Sequence, residues 1–219
     1  ARGREVLEPR LEGQQVAWQV INTGVSGWGT DQELLFLEHE GFKYQPDIVV
    51  LTFFIGNDPD NNSKSRQYGL DKPLFVDTDL KLTNVPVPKP GIRSPMIRST
   101  ADASDLTLAI IKRMAAVCGT HACDLIVIKF GEFLFDDTSQ FRDLQQRLAE
   151  SVPQLPRVTY VDLDQIYRER KVAPMEILVG NNDGHWNPYG HWLTADVLLN
   201  SLVESGDIDA DDIKSVDRP

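Results

Sequence analysis

The segment "DIVVLTFF", Asp47–Phe54, decides the fold. It is nearly continuously apolar, without the every-second-residue polarity of a strand that faces water on one side. Such a run suits a strand buried on both faces, as in a parallel sheet. Outward from it, "DLIVIKF" (Asp124–Phe130) and "RVTYVDL" (Arg157–Leu163) read the same way, and "VAWQVIN" (Val16–Asn22) reads as a strand that ends in a glycine-rich turn. Helical patterns separate these runs. "REVLEPRLE" (Arg4–Glu12) predicts a short helix limited by Pro9. "DQELLFLEHE" predicts a helix opened by a Thr30/Glu33 capping box and closed by Gly41. "SDLTLAIIKRMAAVCG" predicts one with Ser104 as N-cap and Gly119 at its end. "TSQFRDLQQRLAES" predicts an amphipathic helix, and Asn187 caps a last one with Pro188 in its first turn. Alternating strands and helices imply an α/β fold with a mostly parallel sheet.

At 219 residues the chain is expected to form one domain. It is 41% hydrophobic and 25% charged, the profile of an ordinary globular protein. Its 33 acidic and 22 basic residues give a net charge of −11 with no basic cluster. That balance excludes nucleic acid and an anionic membrane surface as expected partners. No apolar run approaches the ~18–20 residues of a membrane span, and no signal peptide is evident. The compartment is left open. Cys118 and Cys123 bracket "GTHA"; two buried thiols are preferred over a small disulfide loop. Residues 59–103, rich in Pro, Asn, Asp and Ser, break the strand–helix rhythm and contain a hairpin candidate in "PLFVDTDLKLTNVPVP". An excursion of that length suits a lid or binding loop. Residues 206–219 form an acidic tail expected to be loosely ordered. Asn61-Asn62-Ser63 matches a glycosylation acceptor, which matters only in an exported eukaryotic protein.

In an open parallel sheet, ligands bind beyond the carboxyl ends of the strands. Three polar clusters fall at such places: Asn22–Thr30, Gly56-Asn57-Asp58, and Asp183–Asn187 in the loop entering the last helix. Asp183 and His185 are two apart. That spacing suits an aspartate that orients an imidazole and leaves its other nitrogen free as a general base. Gly27 offers a backbone N–H with no side chain in the way, and Asn57 offers an amide donor at the end of a strand. Aimed at one point, the two make an oxyanion hole. A metal site is the weaker reading, because His185 and His191 are six apart and no His or Cys falls in zinc spacing. No metal or cofactor is expected. Asn187 is read as a helix cap, His191 as an exposed or packing residue of that helix, and Trp186 and Trp192 as core or rim aromatics.

"NTGVSGWGTDQELLFLEHEGFKYQPDIVVLTFFIGND" and "DGHWNPYGH" together resemble the SGNH, or GDSL-type, esterase and acyltransferase superfamily. The resemblance runs from Asn22 to the last helix. The closing Asp-x-His-Trp also resembles the alginate O-acetyltransferase branch. It implies a flavodoxin-like three-layer α/β/α sandwich and a Ser/His/Asp triad that cleaves or transfers small acyl groups without a cofactor. It makes Gly27 and Asn57 the oxyanion donors, His185 the base and Asp183 its partner. The third block, usually Gly-x-Asn-Asp, reads Ile55-Gly56-Asn57-Asp58 and lacks its first glycine.

The family's Gly-Asp-Ser block belongs upstream of the Asn22 segment, on a strand in the middle of the sheet. Only 21 residues precede Asn22, none of them serine, and no Gly-Asp-Ser occurs in the sequence. Three accounts answer this: the sequence is truncated upstream of Ala1, chains pair across the vacancy as a homo-oligomer, or another segment of this chain fills it. Ser26, inside the glycine turn, is a candidate substitute nucleophile within this sequence, its other reading being a turn residue that bonds to its own backbone. Three functions follow as expectations: a serine-type ester hydrolase, a carbohydrate O-acyltransferase, or a non-catalytic protein that binds an acylated ligand. The first two act on a small-molecule or carbohydrate ester.

Overall fold

The computed structural model describes residues 19–88, 100–132, 140–180 and 183–209. The predicted helix at 4–12 and residues 16–18 of the first predicted strand lie outside them. So do 89–99 of the excursion and 210–219 of the tail. The described chain forms two compact units, one of residues 25–164 and one of residues 1–24 and 165–219.

The larger unit is α/β. Helix α1 (Thr30–His39) leads through a short 3-10 turn to strand β1 (Ile48–Phe54), followed by helix α2 (Asp58–Asn62). Two small antiparallel ribbons come next: β2 (Arg66–Gln67) with β3 (Leu70–Asp71), and β4 (Leu74–Phe75) with β5 (Leu82–Thr83). The second is the hairpin predicted from sequence. Helix α3 (Thr100–Thr120), strand β6 (Asp124–Phe130), helix α4 (Arg142–Ser151) and strand β7 (Val158–Asp162) complete the unit. The strands pair in parallel in the order β1-β6-β7, with Leu51 opposite Val127 and Val127 opposite Tyr160.

The core explains why these strands are apolar. Leu51, Phe53, Leu125 and Val127 pack with Leu34 and Leu37 of α1, Leu106, Ile110 and Met114 of α3, and Leu144 and Leu148 of α4. Ile126 and Ile128, on the other face of β6, are buried as well, so β6 is covered on both sides as its composition predicts. β1 departs from that prediction. Val50 and Thr52 on its second face are exposed, and β1 is an edge strand among the described residues. An apolar run reports that a strand is hydrophobic, but not how many neighbours it has.

Two predicted helix starts are also corrected. α1 is capped by Gly29 without a side-chain hydrogen bond, so Thr30 and Glu33 form no capping box. The N–H of Asp31 is instead taken by Asn62 Oδ1 of α2 at 3.0 Å, a tertiary partner doing the work of a local cap. α3 begins at Thr100, one turn before Ser104, which is buried inside the helix. Likewise Gln19–Asn22 is not a strand; Asn22 Oδ1 accepts from the N–H of Gly24 at 2.9 Å and bends the chain. α1 closes at Glu40, before Gly41.

Cys118 and Cys123 are free, buried thiols, as expected. Burial raises the pKa of both, so neither is a reactive thiolate. At the carboxyl end of β6, buried Lys129 meets Asp164 at 2.9 Å, Glu132 at 3.1 Å and Asp162 at 3.3 Å. Asp164 also accepts from the N–H groups of Gly131 and Glu132, which ties the ends of β6 and β7 together.

The smaller unit holds helix α5 (Leu163–Glu169, from Gln165 onward), helix α6 (Pro174–Ile177), the ribbon of β8 (Leu178–Gly180) and β9 (Asp183–Trp186), and helix α7 (Pro188–Glu204). Tyr167 is buried with its hydroxyl 2.9 Å from Thr194 Oγ1, which joins α5 to α7. Past α7 the chain turns back: the N–H groups of Asp207 and Ile208 bond to the carbonyl of Leu202, and Ile208 is buried. The start of the acidic tail is therefore packed rather than loose. No helix among the described residues is long and apolar enough to cross a membrane.

Candidate active site

Val25-Ser26-Gly27-Trp28 is a β-turn, closed by the Trp28 N–H on the Val25 carbonyl at 3.2 Å. Gly27 occupies its third position at φ +81°, which marks a type II turn and explains the glycine. The turn's own hydrogen bond leaves the Ser26–Gly27 peptide unused, so the Gly27 N–H remains a donor for an outside acceptor. Ser26 beside it is exposed.

Asn57 stands at the N-cap of α2, directly beyond β1, yet its side chain makes no capping bond. Its Oδ1 is thus not spent on the helix, and its Nδ2 has no hydrogen-bond partner among the described residues. Asp58 replaces it as the anchor: Asp58 Oδ2 accepts from the N–H of Phe54 at 2.8 Å and pins the first turn of α2 to the end of β1. The Asp31–Asn62 bond joins the start of α1 to the last residue of α2. Gly27 and Asn57 therefore lie just ahead of two helices that are tied to each other.

Beneath these turns is a polar cluster that the sequence reading missed. Lys72 makes a buried ion pair with Asp31; the two are 3% and 1% exposed. Asn84 Nδ2 donates to the Lys72 carbonyl at 2.6 Å and the Lys72 N–H to Ser65 at 2.9 Å, so the lysine is fixed at both ends. Burial raises Asp31 and lowers Lys72, each against the pull of the other's charge. Asp58 is raised by burial and by the nearby Glu33. Glu33 is pushed up to about 7 by burial and by the charge of Asp31. Thr30 Oγ1, Asp31 Oδ1, Glu33 Oε2 and Asn61 Nδ2 are buried without a hydrogen-bond partner. Lys72 sits in a loop-like stretch where no periodicity marks it as buried; a lone lysine there gives no signal. Asn61, the glycosylation candidate, is 3% exposed and so closed to modification in the folded chain.

Asp183 and His185 belong to the smaller unit. The sequence places them in a loop, but they lie on β9, with Asp183 opposite Gly180 and Trp186 opposite Leu178. Leu-Val-Gly of β8 is too short to show a period, which hides the ribbon. The side chain of Asp183 lies outside the described residues. His185 is exposed. Its strand is held firmly at the next residue but one. Asn187 accepts from the Gly190 N–H at 2.9 Å, as a cap should, and its Nδ2 donates to the carbonyls of Glu176 at 2.8 Å and Leu178 at 2.9 Å. Gly190 allows this fit, because a Cβ there would lie 2.5 Å from the Ile177 carbonyl oxygen. His191 is exposed and packs edge-on against Trp186, with ring centroids 5.7 Å apart.

Among the described residues no three His, Cys, Asp or Glu side chains are arranged to hold a metal ion. An open hollow lined by Glu38, Phe42, Arg113 and His121 lies at the far end of α1 from Gly27 and includes none of the predicted site residues. Comparison of the chain with protein-family models, with curated proteins and with solved structures finds no match.

Proposed function

We propose that this chain is a serine-type ester hydrolase of the SGNH kind, built on a flavodoxin-like three-layer sandwich and acting on small acyl esters. The observation that carries this reading is the pair of uncommitted donors: the Gly27 N–H in its type II turn and the Asn57 Nδ2, which has no hydrogen-bond partner among the described residues. Preorganised donors of this kind stabilise the negative charge that develops on a carbonyl oxygen under attack. His185 supplies the base. It takes the proton of the attacking serine and returns it to the leaving alcohol, while Asp183 orients the ring. Water then repeats the cycle on the acyl-enzyme and releases the acid.

The nucleophile is the part to be identified. Gly-Asp-Ser does not occur in the sequence, and Ser26 is the serine that adjoins the donor turn. Treatment of the full-length protein with a fluorophosphonate, followed by peptide mass spectrometry, tests the reading. An adduct on one serine that forms only while His185 is intact supports it and names the nucleophile. No adduct, together with no hydrolysis of acetyl, butyryl or sugar acetate esters, overturns it in favour of a chain that binds acylated ligands without turning them over.

A further inference from the structure

We infer that Tyr68, at the tip of the β2–β3 hairpin, is the side chain that limits the length of the acyl group; the inference rests on the ester-hydrolase reading of Gly27. The tip is a two-residue turn in which Tyr68 has φ +47° and Gly69 φ +81°. Positive φ at both central residues is the type I′ geometry that Asn-Gly adopts readily. A bulky aromatic residue is out of place there. Arg66 holds the turn closed, donating from Nε and Nη2 to the Gly69 carbonyl at 3.0 and 2.8 Å. Backbone strain maintained by dedicated contacts points to a task for the residue that bears it.

The task is indicated by what the ring touches. A Cβ built on Gly27 would lie 2.6 Å from Tyr68 Cδ2, and closer still to Cε2. The ring therefore packs on the α-carbon of the turn whose N–H is the candidate oxyanion donor. The rest of Tyr68 faces solvent: it is 75% exposed, and Leu70 two residues on is 74% exposed. A large, largely uncovered side chain thus stands beside the donor turn. The base of its hairpin is fixed, because the residue after Asp71 is Lys72, in its buried ion pair with Asp31. The hairpin is thus anchored at the end of its second strand.

The oxyanion donors stay with the acyl carbonyl through acylation and deacylation, whereas the alcohol departs after the first step. A wall built on the donor turn can therefore act on the acyl half in both steps and on the alcohol half only in the first. With the ring in place the space beside the carbonyl suits a short chain; without it, longer chains gain room.

The test uses the full-length protein with p-nitrophenyl acetate, butyrate and hexanoate, and separately with acetates of different alcohols. Tyr68→Asn removes the ring and suits the turn, so it keeps the fold. It is expected to lower the acetate-to-hexanoate ratio of kcat/KM by about tenfold or more, the scale on which a pocket discriminates methylenes. Tyr68→Phe keeps the ring and the wild-type ratio. Unchanged acyl ratios in Tyr68→Asn, or a change confined to the alcohol series, overturn the inference while leaving the hydrolase reading intact. Wild-type protein that hydrolyses none of these esters overturns both.

Discussion

Lys72 and Asp31 form an ion pair with both partners withdrawn from water, joining the 59–103 excursion to the first turn of α1. Breaking a buried pair from one side is far costlier than replacing both partners. Lys72→Met is therefore expected to destabilise the protein by about 3–5 kcal/mol at pH 8, whereas Lys72→Met with Asp31→Asn recovers at least half of that. Urea unfolding of the three proteins checks this. The deficit of the single variant shrinks at pH 5, because the stranded Asp31 carboxyl, already raised by burial, takes up a proton.

Glu33 gives the fold a pH dependence of its own. Its folded pKa is about 7 against an ordinary value of 4.5, so the native state holds the proton more tightly than the unfolded chain. Stability from this group is full below about pH 4.5 and is lost as pH rises through about 7. Asp58, raised in the same direction, adds to the slope. Unfolding free energy is expected to fall between pH 5 and pH 8. In Glu33→Gln the fall is smaller, by up to about 3 kcal/mol. A wild-type curve that rises over this range would refute the assignment.

His185 is exposed on β9, so its removal should leave the fold alone. His185→Ala is expected to change stability by less than about 0.5 kcal/mol while lowering kcat for ester hydrolysis by about 10²–10⁴-fold. Thermal melts and initial rates on the same preparations separate the two effects.

Asn57→Ala removes a donor that does not cap its helix. The expected loss is about 10²–10³ in kcat with little change in KM, because a developing oxyanion needs the donor more than the bound ester does. Gly27→Ala acts differently. It forces a Cβ into a left-handed turn and against the Tyr68 ring, so stability and activity should fall together.

Gly190→Ala probes the smaller unit. The new Cβ would press on the Ile177 carbonyl and loosen the Asn187 bridge that ties the start of α7 to α6 and β8. A loss of about 1–3 kcal/mol is expected. Hydrogen exchange should show it first at the N–H groups of Asn187 and Gly190.

The sheet strands, the last helix and its Asn187 cap were legible because each has a local signature: an apolar run, a helical period, Asn-Pro at a helix start. The starts of α1 and α3 were not. Asn62 reaches α1 from a helix thirty-one residues away, and no local pattern reports a partner at that separation. The exposed face of β1 was hidden for a related reason, since Val50 reads the same on an edge strand as in a sheet centre. Gly27 and Asn57 were legible as candidate donors because a glycine turn and a strand end are sequence features. Lys72 and Tyr68 were not, because they sit in polar, aperiodic sequence whose packing is set by distant contacts.

Cys118 and Cys123, both without measurable exposure, stand at the junction of α3 and β6 in the main core. Sealed in this way, they are a native timer. A thiol reagent such as a disulfide dye cannot reach them until that junction opens. The rate at which colour develops in native buffer therefore counts openings of the larger unit, with no label introduced and no denaturant added. The same clock, read in the Lys72 and Glu33 variants, would show whether those buried charges hold the core shut or merely adjust its margin at equilibrium.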